Sequence, residues 1–114
     1  MKTLTELSND YKQKHTVVLE DGDQFNITLN FIEQQQGWFY NLSYGDNFEV
    51  NGQRLVTGMN IIRKWKNLLP FGISIITEDL SEPSFIDDFT SDRVEVNILN
   101  EADVEQVEKD FYGQ

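Results

Sequence analysis

The chain has 114 residues, no cysteine, one histidine and a formal net charge of −11. This length is typical of one domain with its own core, so we expect residues 1–114 to form a single domain. The composition excludes disulfide frameworks and thiol chemistry. The excess of acidic side chains argues against direct nucleic-acid binding, because such a field repels phosphate.

The N-terminal residues 1–13 are polar and mixed in charge, and they predict a short helix or a loose arm. They lack the apolar core of a signal peptide. No apolar run in the chain approaches the roughly 20 residues of a membrane helix, so we expect no membrane association. The β body is expected to span residues 14–99.

A β-hairpin is predicted next. Residues 15–19 are rich in β-branched side chains, and apolar residues alternate with polar ones over Phe25–Phe31, as in a half-buried strand. Between them lies Asp21-Gly22, a dipeptide favoured in tight hairpin turns.

The next strand carries an aromatic stripe, in which Trp38, Tyr40, Leu42 and Tyr44 recur at a period of two and share one face. After it we predict a short strand at 48–50, a turn at Asn51-Gly52 and a further strand at 53–56. An apolar segment at 59–62 follows.

The densest basic patch of the chain comes directly afterwards, at Arg63-Lys64-Trp65-Lys66. One interpretation is a solvated loop or strand end with Trp65 resting on the surface. The other is a contact with a partner protein, because Trp and Arg are favoured in binding hot spots. Together with Arg54, these residues are the candidate partner contacts.

Another strand is predicted at 73–77, followed by an acidic loop at 78–92. Residues 78–114 carry twelve acidic against two basic side chains, whereas residues 1–77 carry eight against seven. The carboxylates of the loop could offer oxygens to calcium, but their spacing matches no calcium motif and favours a solvated loop. Its apolar members predict that the loop packs back onto the body: Leu80, Phe85, Ile86 and Phe89.

A last strand is predicted at 93–99, and the acidic tail at 100–114 should contain one or two helical turns, capped by Asn100. Turn signals at regular spacing are typical of all-β folds. We therefore predict a small antiparallel barrel or sandwich of about six to eight strands, with a short acidic C-terminal helix.

The search for reactive groups finds little. His15 is the single histidine and belongs to a predicted strand, and no phosphate-binding or nucleophile motif is present. A pair of catalytic carboxylates is possible in any acidic protein, but nothing distinguishes two of them here. We predict no catalytic, cofactor or metal site, which favours a binding or structural protein over an enzyme.

The order of these landmarks resembles the small baseplate plug proteins of contractile-tailed phages, a family that includes the cyanophage baseplate plug. The resemblance spans about residues 15–100 and does not include the acidic tail. The landmarks that carry it are Trp38, the turn and strand at 51–55, Gly58 to Ile62, Leu69-Pro70-Phe71-Gly72, Glu82-Pro83 and the strand at 93–99.

The resemblance implies a non-enzymatic structural protein of a phage or prophage virion, made in the bacterial cytoplasm. It would sit at the baseplate centre, near the hub and the end of the tail tube, and would help to close the tube. Its partners would be other tail proteins and further copies of itself, for example in a trimer. The alternative hypothesis is a β-barrel that binds a small ligand against Trp38, Tyr40 and Tyr44.

Overall fold

Strands dominate the computed structural model, which describes residues 2–79 and 81–112. The packing predicted for Leu80 lies outside these residues, as do the last two residues of the predicted tail. Over the described residues the strands and the α-helix are β1 (Lys2–Thr3), β2 (Lys12–Val18), β3 (Gln24–Ile32), β4 (Gly37–Tyr44), β5 (Phe48–Arg54), β6 (Gly72–Thr77), β7 (Val94–Leu99) and α1 (Glu101–Phe111).

The large sheet consists of β2, β3, β4 and β5, in that order and antiparallel throughout. Its second strand shows the predicted alternation, because Phe25, Ile27 and Leu29 are buried and the polar residues between them lie on the opposite face. The tight turn between β2 and β3 is also confirmed. Gly22 occupies it with φ of 92°, which residues with a side chain rarely adopt.

The predicted turn at Asn51-Gly52 is wrong. A single strand, β5, runs through both residues, and its register against β4 shifts between Tyr40 and Leu42. Gly52 has φ of 67°, and its N–H donates to Asn41 Oδ1 at 2.8 Å. These features fit a β-bulge. Positive φ serves a bulge as well as a turn, so the dipeptide alone did not separate the two.

The apolar segment at 59–62 does not form a regular strand. Gly58 makes one antiparallel bridge with Ile75, and the Asn60 carboxamide oxygen accepts from the backbone N–H of Ile73 at 3.2 Å. The segment therefore supplies hydrogen-bond partners to part of the outer edge of β6. In an exposed edge strand these backbone groups would stay unpaired.

The small sheet consists of β1, β7 and β6. β6 and β7 pair along their whole length, from Gly72 opposite Leu99 to Thr77 opposite Val94. β1 adds to the other edge of β7 through Lys2–Thr3. This part of the N-terminal segment is a strand, in place of the predicted helix or loose arm, because β7 offers it unpaired backbone groups.

The two sheets pack face to face and do not close into a barrel, so of the two predicted architectures the sandwich is confirmed. The rings of Phe25 and Phe71 stack across the core at a centroid distance of 4.1 Å. The small sheet contributes β-branched side chains at alternate positions of β6 and β7, so they share the face that packs on the core: Ile73, Ile75, Val94, Val96 and Ile98.

The predicted acidic helix is confirmed, and it is longer than the predicted one or two turns. Asn100 and Asp103 form a reciprocal capping box, with Asp103 N donating to Asn100 Oδ1 at 2.7 Å and Asn100 N donating to Asp103 Oδ2 at 3.1 Å. Val107 is buried. Tertiary contacts of this kind extend a helix beyond what its own propensity supports.

Candidate interaction surface

The basic patch lies on a short 3-10 helix at Arg63–Trp65. This turn follows Ile62, which is buried in the core, and it closes through hydrogen bonds from Trp65 N to Ile62 O at 3.0 Å and from Lys66 N to Arg63 O at 3.0 Å. The apolar anchor before it therefore fixes where the basic side chains emerge.

Two of the four patch residues bind the C-terminal helix. Arg63 donates from Nε and Nη2 to the Glu108 carboxylate at 2.7 and 3.1 Å, and Lys66 Nζ donates to the same group at 2.9 Å. Arg63 also lies over the ring of Tyr112, with Cζ 4.2 Å from the centroid. We call Arg63, Lys66, Glu108 and Tyr112 the helix clasp. Its carboxylate accepts from both cations, so the Arg63 and Lys66 charges are partly neutralised within the chain.

The clasp makes a pH-dependent contribution to stability. Hydrogen bonds from Arg63 and then from Lys66 lower the pKa of Glu108. A carboxylate with a lowered folded-state pKa stabilises the fold above its ordinary pKa of 4.5, and this contribution is lost as the pH falls through the lowered value. We therefore expect Glu108→Gln to lower the thermal midpoint at neutral pH and the difference from wild type to shrink in acid.

Amide exchange of α1 at neutral pH should accelerate in the same Glu108 variant. Glu105→Gln, on the same helix, is the matched control and should leave both readouts close to wild type. A Glu108→Gln protein with an unchanged midpoint and unchanged exchange at neutral pH would show that the clasp does not hold the helix.

The other two patch residues form a cation–aromatic pair. Lys64 Nζ lies 4.5 Å from the Trp65 ring centroid. The Trp65 ring meets Phe48 of β5 edge to face at 5.7 Å and packs partly buried against the core. Trp65 is therefore half-buried, whereas the solvated-loop interpretation expected it to rest on the surface.

Arg54 makes a different set of contacts, on β5. Its guanidinium lies over the ring of Phe39, 5.3 Å from the centroid, and Nη2 donates to the carbonyl oxygens of Gln35 and Gln36 at 3.4 Å each. These contacts hold the chain between β3 and β4. These contacts of Arg54 thus join it to other residues than those of the basic patch.

The acidic loop at 78–92 is organised around one buried carboxylate. Asp88 has no exposed surface; its Oδ2 accepts from Ser84 N and Phe85 N at 2.8 and 2.9 Å, and its Oδ1 accepts from Arg93 Nη1 at 2.8 Å. Arg93 Nη2 also donates to the Glu82 carbonyl oxygen at 3.1 Å. The expectation that the carboxylates of this loop are solvated is therefore wrong for Asp88.

The packing predicted for the loop is confirmed at two of its apolar residues. Phe89 is buried and Ile86 packs partly buried against the core, while Phe85 stays largely exposed. Glu82 ties the loop to the segment after β5, because its carboxylate accepts from Thr57 N and Thr57 Oγ1 at 2.9 Å each. One sequence signal could have indicated the buried ion pair with Asp88. Arg93 is one of only two basic residues in 78–114 and directly follows the acidic loop.

The remaining candidates are structural. His15 lies in β2, and its Nε2 is 2.8 Å from Gln13 Oε1. Over residues 2–79 and 81–112, no three His, Cys, Asp or Glu side chains are grouped to hold a metal ion.

The aromatic stripe belongs to the core. Trp38 is wholly buried, its Nε1 donates to the Phe85 carbonyl oxygen at 3.0 Å, and its ring lies 4.7 Å from that of Phe89. Burial raises the pKa of Tyr40 to about 12, and Tyr44 meets Phe71 edge to face at 5.7 Å. The rings predicted as a possible ligand platform thus pack against other protein side chains.

These observations define a class of protein: a β-sandwich with an apolar core, whose charged side chains hold its own loop and helix in place. A family model described as cyanophage baseplate Pam3 plug gp18 matches residues 1–101. The chain belongs to this baseplate plug family. It is therefore a structural protein of the phage tail that contacts other baseplate proteins.

The matched range ends where α1 begins, so the helix clasp joins the family body to a helix beyond the match. A comparison with curated proteins finds no match to the chain. Among the described residues, no helix has the length and apolar character that crossing a membrane requires.

Proposed function

We propose that this protein is a non-enzymatic plug at the end of the tail tube, held near the baseplate hub, where it helps to close the tube before DNA passes. The observation that carries the proposal is the family match over residues 1–101. The core supports it further, because the side chains that could line a ligand cavity, Trp38 and Tyr40, are buried among other core residues.

The charge of the chain suits a position beside passing DNA. With 20 acidic and 9 basic residues, the protein repels phosphate and does not trap it. Tail assemblies are symmetric, and symmetric assembly generates closed rings of identical copies. We therefore also propose that the plug works as a homo-oligomer, for example a trimer.

Lys64 and Trp65 are the basic-patch residues that we propose as direct partner contacts, since Arg63 and Lys66 already bind Glu108. Arg54 is a second contact of the same kind, placed on β5. Rim charges at interfaces mainly set orientation and association rate. Lys64→Glu should therefore slow incorporation into particles, and Lys12→Glu, which makes the same charge change on β2, is the control.

The proposed position is tested with phage that carry a nonsense codon in this gene. Particles grown in a non-suppressing host should lack density at the end of the tail tube in electron micrographs, and their tubes should be open. Particles from a suppressing host provide the control. Tail ends with full density and closed tubes in the absence of the protein would contradict the proposal.

A further inference from the structure

An open groove runs along the seam between the two sheets and past the start of α1. Its first part has a volume of about 560 Å³ and its second part about 370 Å³. The two parts share Pro70 and Glu101 in their walls, so they adjoin around the first turn of the helix. Volumes of this size accommodate several side chains of a bound segment.

The groove lies where strands of both sheets end. β2 ends at Val18 beside the seam, and β7 passes into α1 at Asn100 on the other side. Val18 keeps 52% of its surface exposed, because its neighbour Val17 faces the core and successive strand residues point to opposite faces. Further apolar walls come from Leu19, Leu69, Pro70, Ile98, Leu99, Ala102 and Val104.

The rim of the groove is acidic. Glu20 and Asp21 stand on the turn after β2, and Glu101 and Glu105 project from α1. The bases along the same walls are Lys2, Lys66 and Lys109, and of these Lys66 already pairs with Glu108 at 2.9 Å. The rim therefore favours a cationic occupant, whereas the walls favour an apolar one.

We propose that this groove binds a short segment of a neighbouring baseplate protein in which apolar side chains alternate with lysine or arginine. The inference deepens the proposed function and rests on it. Apolar side chains of the segment enter between Val18 and Pro70, and its cations meet Glu20, Asp21 and Glu101. This is the groove mode of peptide recognition, in which buried anchors supply affinity and flanking charges supply orientation.

Two other occupants fit the groove less well. Nucleic acid would bring phosphates against an acidic rim. A second copy would bring 20 acidic against 9 basic side chains, so contact between copies is less favourable at this acidic rim than through another surface. A basic and apolar segment of another protein is the occupant that matches both the walls and the rim.

The first test uses a fluorescent capped peptide of lysine, leucine and alanine as the probe, with a second peptide in which glutamate replaces lysine. We expect the wild-type protein to bind the lysine peptide and not the glutamate peptide, with affinity that falls as salt is added. The triple variant Glu20→Gln, Asp21→Asn and Glu101→Gln should bind the lysine peptide about tenfold more weakly.

The matched control neutralises three exposed carboxylates away from the groove, in Asp46→Asn, Glu49→Gln and Asp87→Asn. It has the same net charge as the groove variant and should bind the lysine peptide like wild type. Val18→Asn adds a second, independent arm, because it replaces part of the apolar wall by a polar group at an exposed position and leaves the charge of the rim unchanged. It should abolish binding while the thermal midpoint stays close to wild type.

Equal binding by the groove variant and the control variant would overturn the inference, since binding would then follow net charge alone. Self-association of wild type that the groove variant abolishes would also overturn it, because the occupant would be a second copy.

The proposed function is measured separately, by the presence of the protein in particles. If wild-type protein is present in purified particles and the groove variant is incorporated equally well, the groove inference fails and the baseplate role stands.

Discussion

Replacing Trp38 by alanine should lower the free energy of unfolding by about 3–5 kcal/mol, the usual cost of removing a large buried ring. Trp38 is wholly buried and contacts Phe31 at a centroid distance of 5.3 Å and Phe89 at 4.7 Å. It also joins β4 to the acidic loop through the Phe85 carbonyl oxygen. Because small domains are stable by only about 5–15 kcal/mol, urea unfolding should show a protein close to its limit.

Trp38→Phe separates the contribution of the Trp38 hydrogen bond to stability from that of the buried ring. It keeps an aromatic side chain but removes the N–H that serves the Phe85 carbonyl oxygen, so we expect a smaller loss of about 1–3 kcal/mol. Trp65→Phe, at a half-buried ring, is the control and should cost less than either. A Trp38→Ala protein that unfolds at nearly the wild-type urea concentration would show that the loop and β4 are not coupled through this ring.

Replacing Arg93 by methionine should cost about 3–5 kcal/mol, because it leaves the Asp88 carboxylate buried without its cation. Asp88 has no exposed side-chain surface and the Arg93 side chain only 15%. The same guanidinium also contacts the hydroxyl of Ser81 and lies 3.4 Å from Asp79 Oδ1. Its loss should therefore loosen the whole acidic loop, measured as faster amide exchange there.

A double-mutant cycle measures the interaction energy between Arg93 and Asp88. Asp88→Asn removes the buried charge and keeps an oxygen that can accept from Ser84 N and Phe85 N. The combined variant with Arg93→Met should be more stable than the sum of the two single losses predicts, since no uncompensated charge remains. Strictly additive losses would show that Arg93 acts through its exposed contacts and not through Asp88.

The sheets could be predicted from the sequence because their signals are local. Alternation over Phe25–Phe31 and over the aromatic stripe gives a period of two, and only a strand with one buried face explains it. The capping pattern at Asn100 is equally local and predicted the start of α1. In each case the residues that carry the signal are neighbours in the chain, so no knowledge of the tertiary structure was needed.

The features that were missed depend on contacts between distant residues. The helix clasp joins Arg63 to Glu108, 45 positions apart, and neither residue differs in sequence from an ordinary surface charge. The burial of Asp88 follows from the place where Arg93 lies in the fold. The bulge at Gly52 needs the positive φ that a turn also needs. Whether the chain turns or bulges at this residue therefore depends on its pairing with β4, which lies beside it.

The same limit applies to the candidate surface. Composition identified the basic patch, and the structure assigns Arg63 and Lys66 to the C-terminal helix and leaves Lys64 with Trp65. The groove could not be predicted at all, because its walls come from β2, the segment before β6, β7 and α1. These residues come together only in the folded chain, where the ends of β2 and β7 meet the start of α1.

As a baseplate plug, this protein should be a built-in component of the phage tail. Quantitative mass spectrometry of particles purified through a density gradient and washed in high salt measures whether it is. The protein should stay with the particles at a constant ratio to other baseplate proteins. A protein that is abundant in the infected-cell lysate and absent from the washed particles would contradict it.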